Sequence, residues 1–432
     1  MTDVIVVGGG ICGLQLGALL SADGQSVTVL EKLPHPGGRA FLWEKDGFTV
    51  DNGIHLIRFG PKSAMARVFA HLGKPIEFRA MGKSYVGFPD GRKVDFPTSP
   101  VGFLTTKLMG VGERLKTLGI MIKLRKLEPG GFLDTSVKDW MDRMGITGGV
   151  RQYLHLVSAS MQVCPFLERA SAGEMLLNMQ SVLVKGYSAM YPVKGWRYIY
   201  DTLLREIGKN GEVRTGAKVK RVVVEGGKAV GVELETGERI GAERVVVNLP
   251  AQQVFDVVDP SLAPAEFVKL CRELTPTAGV SLDYGLKRRV SGDSGLWYLW
   301  EPMSFGMFTS NLCPELAPPG KQLLTWFVPA NVSDMEDGGR AREIEENLER
   351  AIFKTFPGLE AAIEWRRALR LKMVDGVEVN VKQHRGKRPG YKIPGIDGLY
   401  LVGDSLQAAG AGGDVGHEAV LSCYREMTGR EA

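Results

Sequence analysis

Gly8, Gly10 and Gly13 stand at the spacing GxGxxG, and Glu31 follows 18 positions after Gly13, at the end of the apolar run Val27-Thr28-Val29-Leu30. In such a turn the first glycine permits a sharp reversal, the second lets the backbone approach a pyrophosphate, and the third lets a helix pack closely on a sheet. The phosphates would rest at the helix N-terminus, where unpaired N–H groups and aligned peptide dipoles favour negative charge. A carboxylate at position 31 is placed to accept hydrogen bonds from ribose hydroxyls. The spacings and the acid together predict the ADP-binding half of a dinucleotide site, which an ordinary βαβ unit with a glycine-rich turn would not require. Cys12 lies inside the turn. The helix dipole there favours a lowered thiol pKa, but its small side chain fits packing better than redox chemistry.

Positive charge comes next. Pro34-His35-Pro36-Gly37-Gly38-Arg39 is a rigid turn followed by a flexible one, where paired glycines expose backbone N–H groups and Arg39 can form a two-pronged bond to phosphate. Asp51-Asn52-Gly53-Ile54-His55 reads as a turn or strand end. His55 is the early side chain suited to proton transfer, but it has no visible partner, and a structural role fits it better. Near the other end, Gly403 and Asp404 close an apolar run, and Gly410 to Gly416 lead into a helix, repeating the opening theme. Two anion-compatible features at opposite ends of one chain imply a long ligand with a diphosphate and sugar-like hydroxyls.

A sheet must hold both features. The opening segment supplies strand, helix and strand; beyond residue 60 the parallel-sheet character is lost, and the chain reads as mostly helical to about residue 190. It returns with a helix over 198–207, short strands over 211–215, 217–225 and 230–234, and the uninterrupted apolar run Val245-Val246-Val247 of a buried strand. It then leaves again, with Trp297, Tyr298, Trp300, Phe305, Phe308, Trp326 and Phe327 spaced as antiparallel strands around a core or cavity, and a helix over 343–356. The expected architecture is α/β, with a Rossmann-like nucleotide domain built from 1–60, 191–255 and 390–432 and an inserted α+β substrate domain built from 61–190 and 256–389. Both excursions must leave near one sheet edge and neither has a boundary of its own, so they are expected to pack together.

The 432 residues carry 54 basic and 49 acidic side chains, a net charge of +5 that is too small to indicate a nucleic-acid partner. Cys12, Cys164, Cys271, Cys313 and Cys423 form no CxxC and accompany no paired His spacing, so neither a disulfide framework nor a metal site is expected. The first strand begins within three residues, and no apolar run nears the ~20 residues needed to cross a bilayer, which predicts a cytoplasmic protein. Residues 112–127 combine Leu115, Leu118 and Ile122 at helical spacing with Arg114, Lys116, Lys123, Arg125 and Lys126. Contact with the inner face of a membrane fits this pattern, and so does a core-facing helix with a basic outer side. No second GxGxxG follows a strand, so no NAD(P)H domain is expected.

On Gly8-Gly10-Gly13 with Glu31, Gly37-Gly38-Arg39, the 192–250 segment, Gly403-Asp404 and Gly412 to Gly416, the chain resembles, over nearly its whole length, the phytoene desaturase-like branch of the FAD-dependent amine oxidase superfamily, the carotenoid and isoprenoid desaturases. The resemblance implies one non-covalent FAD held by Gly8, Gly10, Cys12, Gly13, Glu31, Lys32, Gly38, Arg39, Val219, Gly403, Asp404, Gly413, Asp414 and Val415. Glu31 would bind the adenosine ribose, Arg39 would lie by the phosphates and flavin, and Val219 would hold adenine through its backbone. Asp404 would serve the pyrophosphate–ribityl region, with Gly413 to Val415 approaching the flavin. The implied activity is desaturation of a hydrophobic isoprenoid-like or lipid substrate by hydride transfer to flavin N5, with oxygen, a quinone or another membrane acceptor receiving the electrons. A flavin-dependent isomerase or saturase of a polyene, a small-molecule or amine oxidase, and a non-catalytic FAD-binding scaffold are the alternatives. Lys194-Gly195-Trp196 stands where relatives carry paired glycines, and His417-Glu418 where they carry small residues. Gly403-Asp404 replaces the Gly-Glu of amine oxidases, which points away from amine oxidation.

Overall fold

A computed structural model describes residues 2–186 and 189–432. Thr2–Val7 pairs in parallel with Val27–Leu30 on one side and Arg239–Val247 on the other, and Gly211–Arg214 extends the sheet beyond Val27–Leu30. The first strand is apolar and buried from Val4 to Val7, where both faces are covered, as parallel sheets require. Arg239–Val247 changes partners along its length. Its first half pairs antiparallel with Lys228–Leu234, while its second half pairs in parallel with Leu399–Leu401. The sequence breaks this strand after Ile240, whereas the structure runs it through unbroken, since its outer half lies on a half-exposed ribbon and needs no continuous apolar run.

The helix Ile11–Ala22 follows the glycine turn and is buried over ten of its twelve residues, which explains why it is apolar all round. It is sandwiched between the sheet and the helices Gly195–Ile207 and Gly413–Thr428. The final strand and helix thus return the C-terminal glycine segment to the first turn.

The inserted part is built on a second, seven-stranded sheet in the order Ile363–Leu371, Ala278–Leu286, Gln322–Ala330, Ser304–Met307, Trp297–Leu299, Ser84–Gly87, Lys93–Phe96. The parallel pairing of Trp297 with Tyr85 and Leu299 with Gly87 joins the two excursions in one sheet. Three features depart from the sequence reading. Ser84–Gly87 and Lys93–Phe96 interrupt the region that reads as helical. Ala278–Leu286 is buried at all nine positions and therefore shows no alternation to reveal it, and its neighbour Ile363–Leu371 hides behind its arginines. Helix Ala265–Arg272 belongs with the nucleotide sheet, where Val268, Cys271 and Leu274 join the cluster that contains Val222 and Val245. The insert also carries helices Ala64–His71, Pro100–Thr105, Val111–Leu124, Val137–Arg143, Gly148–Met161 and Ala172–Lys185, and Gly338–Thr355, which contains most of the helix expected over 343–356. Among the described residues no helix is long and apolar enough to cross a membrane.

Candidate cofactor site

The glycine turn is held from three sides. Asn248 Nδ2 donates to the carbonyl of Gly8 at 2.8 Å, and a Cβ on Gly13 would lie 2.5 Å from that same oxygen and 2.6 Å from Asn248 Nδ2. Only glycine lets the helix sit so low on the turn, and Gly8 itself has φ +102°. Gly10 caps the helix with no side-chain hydrogen bond, which leaves the first N–H groups of Ile11–Ala22 facing outward. The loop Pro34 to Arg39 folds against this turn: Gly37 N donates to Gly9 O at 2.8 Å, and a Cβ on Gly38 would come within 3.1 Å of Gly10 Cα.

Glu31 is buried, and both of its oxygens are engaged. Oε2 accepts from Gly9 N and Oε1 from Leu33 N, each at 2.8 Å, and each oxygen keeps a second lone pair. The carboxylate therefore braces the turn as well as facing the site. Its backbone oxygen accepts from Ala217 N at 2.8 Å, which brings buried Val219 to the same end of the sheet, while Lys32 points to solvent.

Arg39 joins the two ends of the chain. Its Nη2 donates to Asp404 Oδ1 at 2.6 Å and its Nη1 to Val374 O at 2.9 Å, while Gly376 N donates to Asp404 Oδ2 at 2.8 Å. Burial alone would raise the Asp404 pKa, but the Arg39 charge and these hydrogen bonds hold it below the usual carboxylate range. Asp375 beside it is pushed up to about 6, by burial and then by the Asp404 charge. Burial also pushes the Cys12 thiol up to about 12. Loss of water thus overrides the helix dipole that the sequence reading allowed for, and Cys12 packs instead, its Sγ 2.6 Å from where a Cβ on Gly416 would lie.

Where the nucleotide sheet meets the insert, the polar groups are less completely paired. His55 lies edge-on to Trp196, whose Nε1 donates to His55 O at 2.8 Å, and among the described residues its buried Nδ1 has no partner. Burial lowers its pKa to about 4, so the ring is neutral at neutral pH. Asp51 accepts from Tyr191 OH with one oxygen, its other oxygen and Asn52 Oδ1 are unpaired among the described residues, and burial pushes its carboxyl up to about 7. Arg58 Nε faces Asp414 Oδ2 at 3.5 Å, its Nη2 donates to Met161 O, and its Nη1 has no partner among the described residues. Asp414 is raised to about 6 by burial, against the pull of Arg58. Val415 is buried and Gly413 exposed at the start of the last helix, where His417 Nδ1 accepts from Gln15 Nε2 at 2.9 Å.

These residues fit a dinucleotide cofactor. The turn has no space for a Cβ at Gly13, the helix N-terminus is free, and unpaired buried atoms run from Asn52 through His55 to Arg58. Sequence reasoning did not assign Asn248, Gln15, Arg58 or Asp375 to the site. Asn248 carried a signal, as a polar residue closing an apolar strand. Asp375-Gly376 reads only as a turn, because nothing local tells that it will meet Asp404.

A family model described as flavin containing amine oxidoreductase matches residues 11–426. Among curated proteins, a chloroplastic prolycopene isomerase of Daucus carota is 26% identical over 93% of this chain and 76% of its own length. A zeta-carotene-forming phytoene desaturase of Myxococcus xanthus is 26% identical over 66% of this chain and 60% of its own. Among solved structures, an oxidoreductase from Methanosarcina mazei superposes with a TM-score of 0.80 at 21% identity, over 97% of this chain and 99% of that one. Putrescine oxidase bound to putrescine superposes at 0.73 and 18% identity, over 99% of each chain, a likeness of fold.

Proposed function

Because the chain belongs to the flavin-containing amine oxidoreductase family, we propose that it is an FAD-dependent oxidoreductase that desaturates a hydrophobic, isoprenoid-like substrate. When bound, FAD would supply a two-electron acceptor for a hydride from a substrate C–H bond, with the proton from the adjacent carbon passing to water. Glu31 would hold the ribose, and Arg39 with the free N–H groups of Ile11–Ala22 would hold the diphosphate. The observation that carries this reading is the Arg39–Asp404 pair, which closes the first and last nucleotide motifs into one site. His55 and His417, each lowered to about pKa 4 by burial, bring no positive charge to it. A polyene precursor needs no strong base, since its conjugated product spreads developing charge. The carotenoid-processing relatives support an apolar substrate, and Gly403-Asp404 in place of Gly-Glu speaks against an amine. Electrons then pass to oxygen, a quinone or another membrane acceptor, and the cytoplasm is the expected compartment.

The test has two parts. Acid or heat denaturation followed by chromatography should release one unmodified FAD per chain, whereas flavin left on the polypeptide or stoichiometric NAD would refute the cofactor assignment. Anaerobic mixing with a less conjugated isoprenoid precursor of a polyene should bleach the flavin's visible absorption, and bleaching by amines alone would overturn the substrate class. A second reading is isomerisation by reduced flavin, favoured by the match to prolycopene isomerase across 93% of the chain. Turnover by prereduced protein with no net flavin oxidation would select it.

A further inference from the structure

Helix Val111–Leu124 packs Leu118, Ile120 and Met121 half-buried against the core yet leaves other large apolar side chains in solvent. Its buried positions are Thr117 and Leu124, while Val111, Leu115 and Ile122 are 71%, 62% and 71% exposed. At 100° per residue, positions 111, 115 and 122 lie within one narrow stripe, so these three apolar side chains face out together, with half-buried Leu118 at the stripe's inner edge. The preceding helix Pro100–Thr105 adds Val101 and Leu104, 68% and 50% exposed, and is tied to the first by Arg114, which donates to Leu104 O and Met109 O. Lys116 Nζ donates to Gly145 O at 2.7 Å and brings exposed Met144 alongside. These six are most of the nine large apolar side chains exposed among the described residues, so the patch is not chance scatter.

Its charge is one-sided. Lys107, Lys123, Arg125 and Lys126 are exposed and form no ion pair among the described residues. Of the two acids within 107–128, Glu113 is spent on Gly110 N and Gly149 N, each at 2.8 Å, and Glu128 forms no ion pair among the described residues. We propose that this paired-helix face is a docking surface for an anionic lipid leaflet, with the apolar stripe entering the acyl boundary and the four basic side chains meeting phosphate headgroups. A second copy fits it poorly, because a two-fold interface sets each patch against itself and would bring the cationic clusters together. Spanning is excluded by length, since the helix has 14 residues. The inference does not rest on the substrate assignment, and its test requires no turnover.

Holoprotein should float with vesicles of phosphatidylcholine containing phosphatidylglycerol, float poorly with phosphatidylcholine alone, and be released by high salt. Joint Lys123→Gln, Arg125→Gln and Lys126→Gln should lower the partition coefficient about 100-fold, at a factor of ~5 per basic side chain near an anionic surface. Leu115→Ser with Ile122→Ser should abolish flotation while flavin content and near-UV circular dichroism stay as in the wild type. Ile122→Trp, in an otherwise unchanged chain, should shift its emission to the blue when vesicles are added. Failure of the wild type to float with either vesicle, unchanged flotation of both multiple variants, or a concentration-dependent dimer abolished by Leu115→Asp would overturn the proposal, the last by assigning the patch to a second copy.

Discussion

The glycine turn and the Asp51 to Arg58 segment, linked through Asn52 Nδ2 donating to Arg39 O at 2.9 Å, differ in how their polar groups are paired. Around the turn, polar groups are satisfied within the chain: Glu31 by Gly9 and Leu33, Asn248 by Gly8, Asp404 by Arg39 and Gly376. Along Asp51 to Arg58, Asp51 Oδ1, Asn52 Oδ1, His55 Nδ1 and Arg58 Nη1 are buried with no partner among the described residues. A buried polar atom left unpaired costs about 1–3 kcal/mol, so the first region is a finished scaffold and the second is complete only with a ligand or ordered water.

The largest effect expected from breaking the scaffold is at Gly13. A side chain there meets backbone and Asn248 below 3 Å, so Gly13→Val should cost about 3 kcal/mol or more and leave no FAD after gel filtration. Glu31→Arg should follow. Each charge-assisted hydrogen bond is worth about 1.5–3 kcal/mol, and fluorimetric titration of the apoprotein should show FAD affinity falling further than the urea midpoint of the insert; wild-type affinity would mean that Glu31 serves the turn alone. Asp404→Ala strands the Arg39 charge and the Gly376 N–H, for about 1–3 kcal/mol or roughly 10- to 100-fold in Kd.

The junction should respond to pH instead. The native pKa of Asp51, about 7, lies above its ordinary 3.8, so the folded protein binds the extra proton between those values and this carboxyl's stabilising contribution falls as pH rises through that window. Asp51→Asn removes that loss, and denaturant midpoints should show the variant gaining on the wild type from about pH 4 to pH 7. A constant offset would place the Asp51 pKa elsewhere. The smallest effect is expected at His55. A general base contributes roughly 100-fold or more. His55→Asn should cost far less in kcat and leave the pH profile unmoved, because the ring is already neutral; a loss of that size with a shifted profile would make it a catalytic group.

Much of the scaffold was legible in the sequence because its signals are local. Gly8, Gly10, Gly13 and Glu31 are constrained by one βαβ unit, and Val245 to Val247 announce a buried strand by composition. The hidden elements carry no local signature. Ala278–Leu286, buried on both faces, is as compatible with a helix as with a strand until Gln322–Ala330 and Ile363–Leu371 flank it, and its Asp283 makes sense only beside Arg367 at 2.6 Å. For residues 112–127 the periodicity was plain but its direction was not, since an apolar stripe looks the same whether it faces a core or solvent.

The sequence by itself determined the nucleotide-binding turn, the acid that serves it and the α/β class, because each depends on backbone geometry and spacing within about 30 residues. Tertiary structure alone decided that Arg39 meets Asp404 across 365 positions, that two excursions share one sheet through Trp297 and Tyr85, and that Leu115 and Ile122 face outward. Those contacts are set by which surfaces bury one another when the whole chain closes, and that information belongs to no single segment.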